Sequence, residues 1–77
     1  MVGEEKPVTF IEGLVYLGHV KKVELLECQP GFARVAAHTR DGHVYVTKCL
    51  HVDAARKLHS VWNIYITQGW KVEEVGS

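Results

Sequence analysis

At 77 residues, 47% of them hydrophobic, the chain is long enough for one modest core between two thin layers and too short for a second domain. Nine basic side chains balance nine acidic ones, so the molecule as a whole carries no net field to draw nucleic acid or an anionic membrane, and such a role would need a local patch. No apolar run approaches bilayer-spanning length, Glu4 and Glu5 interrupt any leader-like start, and two cysteines, Cys28 and Cys49, are too few for a disulfide framework although enough for one bridge. Together these features indicate a cytoplasmic, reduced protein with no membrane partner.

Residues 1–7 read as a flexible arm. Residues 7–17 admit two readings. Thr9 and Glu12 have the spacing of a capping box, and Phe10, Ile11, Leu14, Val15 and Leu17 roughly follow a helical period. Gly13 and Gly18 each cost a helix about 1 kcal/mol relative to alanine, and most of the other residues favour strands. A strand, kinked at Gly13, is the expectation. Residues 20–28 then form a strand that Gln29-Pro30-Gly31 ends.

The runs 32–39 and 43–50 are rich in strand formers and are separated by Arg40-Asp41-Gly42. Asp-Gly suits a two-residue type I′ turn, which sets Arg40 opposite His43. In that register Ala33, Val35, Ala37 and Thr39 share the core face with Val44, Val46, Lys48 and Leu50. The opposite face carries Phe32, Arg34, Ala36, His38, Arg40, His43, Tyr45, Thr47, Cys49 and His51.

A helix follows, with Asp53 as its N-cap. Its core stripe is Ala54, Ala55, Leu58, Val61, Trp62, Tyr65 and Ile66; His59 lies on the polar side, Ile64 is out of place, and Gly69 supplies the stop. Residues 70–75 alternate as a short last strand, and 76–77 are a tail. The fold class is therefore α+β: a small, mostly antiparallel sheet in the order β-β-β-β-α-β, with one amphipathic helix packed on one face, all in a single domain spanning 1–77.

One helix leaves the other sheet face uncovered, and its mixture of imidazoles, guanidiniums and rings is unlike an ordinary solvated sheet. Phe32, Arg34, His38, Arg40, His43, Tyr45, Cys49 and His51 are the candidate binding residues. Small domains often complete themselves by pairing, and arginine and tyrosine are enriched at interfaces. The leading expectation is thus a non-catalytic interaction domain, a homodimer serving as an adaptor, inhibitor or regulatory subunit. The alternative is a nucleic-acid or anion binder, with Arg34 and Arg40 on phosphates and Tyr45, His38 and His43 stacking on bases. Cys49 and His51 lack the paired spacing of a zinc site. A thiolate at Cys49 would have no orienting carboxylate on its face. No glycine-rich phosphate loop is present. No catalytic residue, metal or cofactor is expected.

Overall fold

A computed structural model describes residues 3–68. In chain order these form β1 (Glu4–Glu5), α1 (Val8–Tyr16), β2 (Val20–Gln29), β3 (Phe32–Thr39), β4 (Val44–Val46), β5 (Leu50–His51) and α2 (Val52–Gln68). The strands lie in the order β1-β4-β3-β2, and β5 pairs β3 beyond the end of β4. Every pairing is antiparallel except that of β1 with β4. The α+β class and the mostly antiparallel sheet are as the residue pattern indicates. The Gly69 stop expected for the last helix, the strand expected at 70–75 and the 76–77 tail lie outside the described residues.

Two expectations near the start of the chain are corrected. Residues 4 and 5 are not a loose arm, because they pair in parallel with Tyr45 and Val46 and the Lys6 N–H donates to the Val46 carbonyl at 2.9 Å. Residues 8–16 are a helix, not a strand. The physical reason is where the glycines fall. Gly18, which would weaken a helix interior, stands just past the end with φ +84°. Its N–H donates to the Val15 carbonyl at 3.1 Å, and that of His19 donates to the Leu14 carbonyl at 2.9 Å, the pairing that closes a helix on a left-handed residue. Only Gly13 is interior. The start is set by Pro7, not by a Thr9 box: Pro7 is the N-cap, and its carbonyl accepts from the Phe10 and Ile11 N–H groups. Ile11 and Val15, one turn apart, are the buried residues of α1.

The hairpin between β3 and β4 forms at the expected place with a different loop. Gly42, at φ +96°, ends a three-residue loop in which its N–H reaches the Thr39 carbonyl at 3.2 Å. The Thr39 N–H donates to the His43 carbonyl at 2.8 Å, so Thr39 faces His43 and Ala37 faces Tyr45. This is a turn closed by a left-handed glycine. The one-residue change flips β4: Tyr45 packs against the core, while Val44 and Val46 share the face of His38 and Ala36. Lys48, expected in the core layer, is exposed.

A second irregularity reverses the slip. Ala36 pairs with Val46, whereas Ala33 pairs with Leu50, so one extra residue lies between β4 and β5. Thr47, fully buried, sits at that point. Its hydroxyl accepts from the Val35 N–H at 3.1 Å, and its own N–H donates to the Val35 carbonyl at 3.0 Å. The side chain thus satisfies a strand donor that the ladder leaves open. Past it Leu50 returns to the core side, and Cys49 and His51 lie on the face of Arg34 and Phe32, where the sequence places them.

Both helices cover the same face of the sheet. Ile11 and Val15 of α1 and Ala55 and Trp62 of α2 meet Val20, Val23, Ala33, Val35 and Ala37 in one buried cluster. α2 begins one residue before Asp53, which lies in its first turn rather than capping it. The periodicity reading of α2 holds at Ala55, Leu58, Val61, Trp62, Tyr65 and Ile66, and Ile64 is exposed as expected. Ala54 is exposed instead of buried. His59 is half-buried, with its Nε2 3.3 Å from the Val23 carbonyl, so it is not the solvated histidine the pattern suggests.

Candidate functional site

The irregular ends of the strands flanking β3 bring Cys28 and Cys49 together in a disulfide with a Cα–Cα distance of 6.1 Å. Strands on either side of a third strand are normally about 9.6 Å apart. Both flanks therefore curl toward each other over β3, one at the register shift between Glu27 and Gln29 and the other past Thr47. Arg34 lies between them on the same face. Its Nε donates to Cys28 Sγ at 3.3 Å and its Nη2 to Cys49 Sγ at 3.3 Å. Leu26, Glu27, Cys28, Gln29, Arg34 and Cys49 line an open hollow of about 530 Å³. Phe32 and His51 meet beside it at a tilt of 51°, ring centroids 5.3 Å apart. The expectation of reduced cysteines is corrected: in the bridge Cys49 has no thiol to ionise or to bind a metal. Among the described residues no three His, Cys, Asp or Glu side chains are grouped to hold a metal ion.

The other end of β3 is polar and uncrosslinked. The Thr39 hydroxyl donates to the Asp41 carboxylate, which also accepts from His43 Nδ1 at 3.0 Å. These two bonds, the Thr39 one foremost, hold the Asp41 carboxyl down to about 2. The His43 ring stacks on Tyr45 at 6.0 Å, and Phe10 meets Tyr45 edge-on at 5.5 Å. Arg40 turns back to the connection after α1, where its Nε donates to the Gly18 carbonyl at 2.9 Å. Between the two ends, His38 Nε2 lies 2.7 Å from Glu24. That bond, followed by the charge of Lys22, lowers the Glu24 carboxyl below its ordinary value.

The eight candidate residues therefore do not share one surface. Phe32, Arg34, His38, Cys49 and His51 lie on the face away from the helices. His43 and Tyr45 belong to the helix side through the flip of β4, and Arg40 belongs to the loop. At the middle of the outer face Ala36 and Val46 are each only 1% exposed.

The sequence reading missed which strand lies outermost in the sheet. Among the described residues β2 is the outer strand on one side and is ten residues long, whereas β1 on the other side has two. Lys21 and Lys22 stand near the start of β2, Glu24 at its middle and Glu27 toward its end, all four exposed, with Leu25 38% exposed between the acids. The signal lay in the charge order of the strand, but only the topology makes that strand an edge. Compared with family models, with curated proteins and with solved structures, the chain matches none.

Proposed function

We propose that this chain is a small non-catalytic interaction domain that forms a homodimer, the outer edge of β2 pairing antiparallel with the same edge of a second copy. The observation that carries the reading is the order of charges along that edge. A two-fold axis near Val23 reverses the strand, which would set Lys22 opposite Glu24 of its partner and Lys21 diagonal to the partner's Glu27. Charged residues commonly keep edge strands apart; here their two blocks of opposite sign attract when the strand meets its own reverse. The β2 backbone groups that no described strand pairs would supply the ladder, and Leu25 would lose exposed apolar surface. The dimer would present its outer faces as an adaptor, inhibitor or regulatory subunit.

The alternative reading, a nucleic-acid or anion binder, draws less support. It requires Arg34, His38, Arg40, His43 and Tyr45 on one platform, and the guanidiniums of Arg34 and Arg40 already point at sulfur and at a backbone carbonyl. A cytoplasmic setting, which the composition suggests, would make the Cys28–Cys49 bridge one that opens and closes, since cytoplasmic thiols keep permanent bridges reduced.

Sedimentation tests the dimer. The wild type should sediment as a dimer at tens of micromolar, Lys21→Glu/Lys22→Glu and Glu24→Lys/Glu27→Lys should each be monomeric, and a mixture of the two variants should recover the dimer. A wild type that stays monomeric at hundreds of micromolar, or reversed variants that dimerise as tightly as the wild type, would overturn the reading.

A further inference from the structure

We propose that Cys28–Cys49 is an exchangeable disulfide, a site for attack by a dithiol, and that Arg34 holds the thiolates that leave. The guanidinium is half-buried and forks across the bridge, one donor on each sulfur at 3.3 Å. Among the described residues it has no carboxylate within ion-pair distance. A bonded disulfide sulfur is a weak acceptor for such a cation, whereas a thiolate in the same place is a strong one. The arrangement therefore favours the opened state more than the closed one. The hollow beside the bridge gives a nucleophile access to the sulfurs.

The exchange balances in two steps. One thiolate of the dithiol attacks Cys49 Sγ, forming a mixed disulfide, and the S–S bond breaks with its electron pair leaving on Cys28 Sγ, where Arg34 Nε donates to it. The second thiol of the reductant loses its proton and attacks its partner sulfur. Cys49 then leaves as a thiolate facing Arg34 Nη2. The dithiol is oxidised to a cyclic disulfide, and its two protons pass to the two new cysteine thiols or to solvent. Attack on Cys28 Sγ runs the same way with the roles reversed, because both sulfurs have a donor. A cation beside a cysteine lowers its thiol pKa, and a less basic thiolate leaves faster. Among the described residues the other titratable groups near the bridge are Glu27 on the rim of the hollow, Lys48 next to Cys49 and His51 two residues beyond it. The inference stands whether or not β2 pairs with a second copy.

The test begins with the wild-type chain, reduced and freed of reductant, its thiolates titrated by ultraviolet absorbance. At least one thiol should ionise about one unit or more below the free-cysteine value of about 8.5. Two thiols ionising at or above that value would overturn the proposal. In the oxidised chain, Arg34→Gln should slow reduction by dithiothreitol under native conditions by about threefold or more, with Arg34→Lys falling between. An Arg34→Gln bridge that opens as fast as the wild type would also overturn it. If Arg34→Gln does not fold, the wild-type titration decides alone.

Discussion

The two ends of β3 are fastened by different chemistry. At its start, around Ala33 to Val35, a covalent bridge joins its two flanks to each other and a buried hydroxyl binds one of them to it. At its finish, around Thr39, the chain turns through an exposed loop held by a threonine, an aspartate and a histidine within five residues of one another. The first end unites segments 21 residues apart in sequence and needs the tertiary fold to form. The second is local and can form as soon as the hairpin does. Stability should therefore be concentrated at the start of β3, and sensitivity to pH at its finish.

The largest effect expected from breaking this contrast is at the bridge. Cys28→Ser/Cys49→Ser should cost about 3 kcal/mol, the loop-closure entropy of a loop of this size, read as a fall in the urea midpoint. A cost below about 1 kcal/mol would mean that the curled flanks hold without it. Next is Thr47→Val, which keeps the shape and removes the acceptor of the buried Val35 N–H. It should cost about 2 kcal/mol, with faster hydrogen exchange at Val35.

At the other end, Gly42→Ala should cost about 1 kcal/mol. A Cβ there meets nothing within 4 Å, so the penalty comes from the backbone at φ +96° alone. The smallest effect is that of pH. The folded state holds the Asp41 carboxyl down to about 2, below its ordinary value of 3.8, so the bonds from Thr39 and His43 stabilise the fold above about pH 4. That contribution should fade as pH falls through about 2. Its exposure keeps it slight. Asp41→Asn should flatten the acid limb of a urea-midpoint profile, while Cys28→Ser/Cys49→Ser shifts the whole profile and leaves its slope. An unchanged acid limb in Asp41→Asn would assign the slope elsewhere, with Glu24, also lowered by His38 and Lys22, the next carboxyl to replace.

How far the fold was legible can be judged at particular residues. The stripe through Ala55, Leu58, Trp62 and Tyr65 and the inward row Ala33, Val35, Ala37 could be read because helical and strand periods survive without knowledge of partners. α1 could not, because a glycine inside a helix and one just past its end look alike in a sequence, and Gly18 is the second kind. The outer site was half legible. Phe32, Arg34, His38, Cys49 and His51 do share a face, while His43 and Tyr45 were misassigned because Asp-Gly suits a two-residue and a three-residue loop alike. Cys28 joined the site only through two strand irregularities that no local pattern announces.

The order of residues alone thus determined that there is an α+β fold, a hairpin at Asp41-Gly42, a long amphipathic helix near the end of the chain and an inward row on β3, because each depends on neighbours within a few positions. The tertiary structure decided the register of β4, the edge position of β2, the meeting of Cys28 with Cys49 and the aim of Arg34 at both sulfurs. Those depend on which strand lies beside which, and a single residue of slip, absorbed at Gly42 and again at Thr47, changes every side chain's face without altering any local preference.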